Sequence, residues 1–160
     1  MTPSLADDHV ALQNLATEYA YAVDRREWDR LDRVFTPDAT IDYTATGGIV
    51  APYPVIKEWL PKNLRFFLST MHLMANFSFE VDGDTGRGLV ACYNPMVVRR
   101  LLGGFRHTVV YGIWYHDTYV RTPDGWRIQT RRQESSYDAH VPVWMKLGTA
   151  VVARRGRRTA

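Results

Sequence analysis

The feature that most constrains this chain is a change of periodicity near residue 70. Before it, apolar residues recur at helical spacing; after it, long β-rich runs are separated by compact turn signals. Asp82-Gly83-Asp84-Thr85, Gly103-Gly104 and Thr122-Pro123-Asp124-Gly125 divide the second half into runs at 71–81, 86–102, 105–121 and 126–137. Connections that short join antiparallel neighbours, because a parallel crossover needs a dozen residues or more. Helices first and strands afterwards, with no βαβ alternation, predict an α+β domain. Long strands twist and curl, so the early helices can cover a concave face. The expected architecture is a cone-shaped α+β barrel, with N-terminal helices packed on a strongly curved mixed or antiparallel sheet. The hollow of such a cone is a natural small-molecule site.

In the helical half, Ser4 followed by Asp7 reads as a capping box. Leu12, Leu15, Ala16, Tyr19 and Val23 then make one apolar face, with Asp24 at its flank as the helix runs out. A second helix is expected with Trp28, Leu31, Val34 and Phe35 as its stripe. Thr36-Pro37-Asp38 should end it, since a residue before proline avoids the helical region. Residues 39–44 form a short β-rich run, and Gly47-Gly48 marks a turn. A third helical region spans 54–68, with a kink or break expected at Pro61. Pro95, inside a long strand, predicts a bulge or an edge.

A chain of 160 residues suits one domain, placed at 1–138, with a separate C-terminal segment at 139–160 that ends in a basic, disordered tail. The net charge of +3 does not describe that domain: Arg154, Arg155, Arg157 and Arg158 lie in the last seven residues, and without them the charge is −1. No nucleic-acid partner is therefore expected. Cys92 is the only cysteine, which excludes an intrachain disulfide and a cysteine-built zinc cage. The five histidines, His9, His72, His107, His116 and His140, are scattered without ligand spacing. Phosphate loops, Gly-x-Ser-x-Gly and His-Glu-x-x-His are absent, so no metal or cofactor is expected. The first 23 residues carry Asp7, Asp8 and Glu18 and lack an apolar run, and no stretch suffices to span a bilayer. A cytoplasmic protein without a membrane partner is expected, so the Asn76-Phe77-Ser78 sequon carries little meaning.

Two residues stand out chemically. Asp24 closes an otherwise apolar helix face, and His72 opens a strand dominated by Leu73, Met74, Ala75 and Phe77. Singly, each has an ordinary reading: Asp24 as a cap or the ion-pair partner of Arg25 or Arg26, His72 as a satisfied core histidine. Strand alternation adds a difficulty. Phe77, Phe79 and Val81 share one face, and His72 falls on the other unless the strand bulges near Ala75-Asn76 or the pocket lies on the more polar face. Asp117 is expected to pair with Arg127 or Arg131, while Trp28, Tyr119 and Trp126 read as packing residues.

The run from Tyr19 through Asp24 and Trp28 to Phe35-Thr-Pro-Asp-Ala-Thr-Ile-Asp-Tyr43 resembles the opening of the SnoaL-like proteins, members of the nuclear-transport-factor-2-like superfamily. Met71-His72-Leu73, Glu80-Val-Asp-Gly-Asp-Thr85 and Tyr115-His-Asp-Thr-Tyr-Val-Arg-Thr-Pro-Asp-Gly-Trp126 fit the same family in order, so the resemblance covers about residues 7 to 138. That family includes scytalone dehydratase, bile-acid 7α-dehydratases, polyketide cyclases, ketosteroid isomerase, limonene epoxide hydrolase and members without catalysis. The local pattern is most similar to the dehydratases. Tyr19, Asp24, Tyr43 and His72 match their first-helix Tyr and Asp, pocket Tyr and central His. In one departure, Asn94-Pro95 stands where the bile-acid enzymes have an Asp.

The resemblance implies a cofactor-free lyase that dehydrates a hydroxylated hydrophobic ring compound, polyketide-, terpenoid- or steroid-like. His72, Asp24, Tyr43 and Tyr19 would be catalytic, and Asn94, Tyr115, Met74 and Trp144 would bind substrate. Isomerisation or cyclisation by the same Asp/His pair, or ligand binding without catalysis, are the alternatives. A homo-oligomer, dimer or trimer, is implied through the outer sheet face. The apolar stretch Val141, Val143, Trp144, Met145 and Leu147 would close the pocket or reach a neighbouring copy.

Overall fold

The computed structural model describes residues 4–98 and 106–142. Helix α1 spans Leu5–Asp24 and starts at the expected capping box. The Asp7 N–H donates to Ser4 Oγ at 3.2 Å, and the Ser4 N–H donates to Asp7 Oδ2 at 2.9 Å. Leu12, Leu15, Ala16, Tyr19 and Val23 are buried along its inner face.

The second helix differs from its expectation. Residues Trp28–Arg33 form only a 3-10 helix, and Phe35 opens strand β1, Phe35–Asp42. Thr36-Pro37-Asp38 lies inside that strand instead of ending a helix. Pro37 is tolerated because the register of β1 against its neighbour shifts between Phe35 and Thr40. No regular ladder needs its missing N–H there. After a 3-10 turn at Thr44–Thr46 come β2, Val50–Pro52, and α2, Tyr53–Leu64. Pro61 removes one backbone donor from α2 without splitting it, and the expected end of this helix is instead strand β3, Phe67–Thr70.

Strands β4 (Leu73–Asp82), β5 (Thr85–Val98), β6 (His107–Thr122) and β7 (Gly125–Ala139) form the expected meander. Gly83 and Gly125 take positive φ, 58° and 106°, at its first and third turns. The Gly103-Gly104 turn lies outside the described residues, although β5 and β6 pair from Thr85↔Val120 to Val98↔His107. The sheet order is β2-β1-β7-β6-β5-β3, with β4 also on β5. It is mixed because β1 runs parallel to β7 while the other pairs are antiparallel.

The β3–β4 junction shapes the interior. Both strands pair with β5, and the chain passes from one to the other through Met71 and His72. Pro95 sits on β5 opposite this gap: its carbonyl accepts the Met71 N–H at 3.1 Å, and no ladder there requires a donor from residue 95. The bulge needed to turn His72 inward is present. The β4–β5 register shifts between Ala75 and Ser78, with Asn76 at φ 47°. Met74 before the bulge and Phe77, Phe79 and Val81 after it therefore all pack against the core under α1.

Candidate active site

Helices and curled sheet enclose a pocket of about 410 Å3, within the usual range for small-molecule sites, roughly 300–1,000 Å3. Val23, Trp59, Leu60, Leu64, Met96 and Ile113 supply much of its apolar wall. Its polar groups are few: Tyr19, Tyr43, His72, Asn94 and Gln133 are among them.

Asp24 leaves the end of α1 and meets the β3–β4 junction. It accepts three hydrogen bonds there, from Thr70 Oγ1 at 2.8 Å, the His72 backbone N–H at 2.7 Å and His72 Nδ1 at 2.7 Å. Arg26, at φ 60°, fixes the approach by donating to the carbonyls of Leu64 and Phe67 at 3.1 and 2.6 Å. Neither adjacent arginine pairs with Asp24: Arg25 instead lies 5.4 Å from the Tyr21 ring centroid. Burial alone would push the Asp24 carboxyl up. The hydrogen bond from the His72 ring, its charge, the His72 N–H and Thr70 outweigh that and hold it below its ordinary 3.8. An ionised carboxylate only accepts, so Nδ1 carries a proton, and in the neutral ring Nε2 presents its lone pair.

The far side of the His72 ring meets Asn94, whose Nδ2 lies 3.2 Å from Nε2. Tyr19 stands edge-on to the imidazole, with centroids 5.8 Å apart, and its hydroxyl shares a 2.9 Å hydrogen bond with the Tyr43 hydroxyl. Burial pushes both phenols well above their ordinary 10, only partly opposed by the charge of Arg131, so both remain hydrogen-bond donors at neutral pH. Tyr43 is held from below by Gly48, where a Cβ would lie 2.7 Å from that of Tyr43.

The structure thus brings His72, Tyr19, Tyr43 and Asn94 to one pocket, whereas Asp24 stands behind the His72 ring and does not itself line it. Two expected lining residues are elsewhere. Tyr115 points inward from β6, as Tyr111 and Ile113 do, but lies further toward the closed end and is sealed behind Tyr19. The Arg131 guanidinium sits 4.2 Å from each of those two rings. Met74 is core packing outside the pocket lining. Trp144, with Val143, Met145 and Leu147, lies outside the described residues, whereas Val141 packs against the Met96, Val98 and Val109 cluster. Asp117 pairs with Arg131 at 2.7 and 2.8 Å, both side chains fully buried.

Thr70 and Gln133 were not visible from sequence. Gln133 accepts from Thr46 Oγ1 at 2.6 Å and is 8% exposed. Alternation from Ile128 would turn it outward; a register shift between Thr118 and Tyr119, opposite Thr130 and Ile128, brings Arg131 and Gln133 inside. Among the described residues no three His, Cys, Asp or Glu side chains gather as a metal site. None of their helices is long and apolar enough to cross a membrane.

The sequence model of the SnoaL-like domain matches residues 4–132. An uncharacterized protein of Mycobacterium tuberculosis is 51% identical over 125 residues, covering 78% of this chain and 82% of that protein. Among solved structures, a protein from Kribbella flavida superposes with a TM-score of 0.79 at 22% identity, over 91% of this chain and 99% of the other. A protein assigned as scytalone dehydratase from Novosphingobium aromaticivorans gives a TM-score of 0.71 at 18% identity, over 82% and 86%. At these identities the two structures show the shared fold.

Proposed function

The chain belongs to the SnoaL-like family, and from that premise we propose that it is a cofactor-free acid/base lyase, a dehydratase of hydroxylated hydrophobic ring compounds. One observation carries the reading: an imidazole on the wall of an apolar pocket is tied to a half-buried carboxylate at Nδ1, which leaves Nε2 as the base. Similarity to the fold of a protein assigned as scytalone dehydratase supports it.

Dehydration needs a base for a proton beside an activating carbonyl and an acid for the departing hydroxyl. His72 Nε2 takes the proton from carbon. Electron density moves onto the substrate carbonyl oxygen, where the Tyr19–Tyr43 couple donates a hydrogen bond. The couple has two hydroxyl protons, and one is engaged between the two oxygens, so one remains for substrate. The imidazolium, stabilised by Asp24, then delivers its proton to the hydroxyl as the carbon–oxygen bond breaks and water leaves. Acid/base catalysis of this kind contributes roughly 10²–10⁴-fold.

The test is a panel of hydroxylated polycyclic ketones followed by ultraviolet absorbance and mass spectrometry. The wild-type protein should form a product lighter by one water, and His72→Ala should abolish it while leaving the melting temperature nearly unchanged. A product of unchanged mass would replace dehydration with isomerisation or cyclisation. Ligand recovered intact from both proteins would make the pocket a binding site only. The same reading keeps the homo-oligomer implied by the resemblance, with a second copy on the outer face. Leu73, Tyr93, Gly112 and Tyr137 form one cross-strand row there, and the three large side chains are each about half exposed. Light scattering that finds only monomer would remove it.

A further inference from the structure

Asn94 is nearly fully buried on β5 and is held there by full pairing with β6. Its amide has one partner on one side only. Nδ2 lies 3.2 Å from His72 Nε2, whereas Oδ1 is buried and has no hydrogen-bond partner among the described residues. An orphaned buried carbonyl is costly, and such groups in native structures call for a reason.

The proton inventory supplies one. Nδ1 of His72 is committed to Asp24, so a neutral ring offers a lone pair at Nε2, and only the amide nitrogen can satisfy it. Once Nε2 gains a proton, two donors would face each other across the same short gap. The spare oxygen on the other arm of the amide then becomes the partner that the ring needs.

We propose that the Asn94 side-chain amide turns over with each proton His72 takes: Nδ2 donates to the neutral ring, and Oδ1 accepts from the imidazolium. Asn94 is thereby a positioning residue acting through His72, not a group that contacts substrate. In the resting protein it fixes the ring plane and the tautomer. After proton uptake it holds the proton at Nε2 until the departing group takes it. A charge-assisted hydrogen bond is about twice as strong as a neutral one, so the exchange favours the protonated ring. No proton or electron is consumed by the turn itself, which is a rotation about a single bond.

The other ionisable groups near the ring do not mimic this switch. From α1 come Asp24, whose carboxyl is held below its ordinary range, and Tyr19, whose phenol is pushed well above 10. Cys92 on β5 is pushed up to about 12 by burial. Across the pocket, Tyr43 and Tyr111 are likewise raised by burial. Arg131 behind Tyr19 stays charged throughout.

The inference rests on reading His72 as the base, but its test needs no substrate, so either can fail without the other. Full-length protein with 15N-labelled histidine and asparagine is titrated by NMR, with His72→Gln and Asn94→Leu assigning the signals. A turning amide predicts that Asn94→Leu lowers the affinity of the His72 ring for its proton about tenfold, because the stronger of two bonds is lost. A fixed amide predicts the opposite sign, since removing a donor that favours only the neutral ring raises that affinity. In the wild-type protein the hydrogen-bonded Asn94 Hδ2 signal should also move through the His72 midpoint. An unchanged or raised proton affinity in Asn94→Leu, or an Hδ2 signal that stays still through the titration, overturns the proposal.

Discussion

The two ends of α1 each hold a carboxylate that accepts three hydrogen bonds, Asp8 buried and Asp24 half-buried, yet their surroundings differ in kind. Asp8 near the N-terminus takes two bonds from Arg121, at 2.8 Å each, and one from the Trp126 indole at 3.0 Å. Arg121 also stacks over the Trp126 ring at 4.3 Å and reaches Asp84 at 3.0 Å. Every partner there has a fixed protonation state, and neither Asp8 nor its partners line the 410 Å3 pocket. Asp24 at the other end is bound to an imidazole, a side chain that can both take and give a proton, and that imidazole faces a hollow. Both acids sit below their ordinary 3.8. The depressed carboxylate therefore does not distinguish the end proposed to be catalytic; a partner able to exchange a proton, beside room for a guest, does.

A third acid, fully buried, sets the upper limit of what a purely structural pair contributes. Asp117 and Arg131 are sealed from solvent and paired through both guanidinium bonds. Asp117→Ala leaves a buried guanidinium unpaired, which costs about 3–5 kcal/mol. Thermal unfolding should fall by on the order of 10 °C. A change within 2 °C would mean that this pair is not what locks β6 to β7.

Asp24→Asn tests the opposite end. An amide oxygen in place of Oδ2 still accepts from the His72 N–H, and the amide NH2 in place of Oδ1 donates to Thr70 Oγ1, so the fold should keep its melting temperature within a few degrees. It no longer supplies charge to the ring, and turnover should drop about 100-fold or more. Loss of stability with unchanged turnover would reverse the assignment and make this end the structural one.

These contrasts also explain what the sequence could reveal. The capping box and the first and third hairpin turns were legible because each depends on residues whose local chemistry has one good solution, whereas Asp117 could have met Arg127 or Arg131 until the register chose Arg131. The cone was legible because helix and strand periods change at one point. The bulge at Asn76 was foreseen only as a condition for His72 to face inward, since either strand face was compatible with the residues. Arg131 and Gln133 were harder, because the irregularity that turns them inward lies in the pairing of β6 and β7 and leaves no glycine or proline as a mark. The shortening of the second helix was missed for a related reason: Val34 and Phe35 satisfy a helical stripe and a strand start equally well. Tyr115 faces inward as its strand position suggests, but how far Tyr19 reaches across it is a matter of tertiary packing.

Asp8→Asn should then be the mirror image of Asp24→Asn: turnover preserved, stability reduced by about 1 kcal/mol, because a partly exposed arginine shares the loss with water. Turnover falling as far as in Asp24→Asn would show that the two ends are coupled and would end the distinction.

The smallest effect is the acid limb of stability, and its sign follows from the shift. Arg121's hydrogen bonds, and after them the Trp126 indole, hold the Asp8 carboxyl below its unfolded value near 3.8 against the opposing effect of burial. A group depressed in the folded state contributes stability that is fully present above the unfolded value and is lost as pH falls through the folded one. Stability of the wild-type protein should therefore decline below about pH 4. Asp8→Asn should unfold with a shallower dependence in that window, because the titrating group is gone. Asp24→Asn should flatten the same limb, since its carboxyl is depressed in the same direction. Denaturant melts between pH 3 and 6 check both slopes, and a wild-type limb that neither substitution flattens would mean that neither carboxyl controls it.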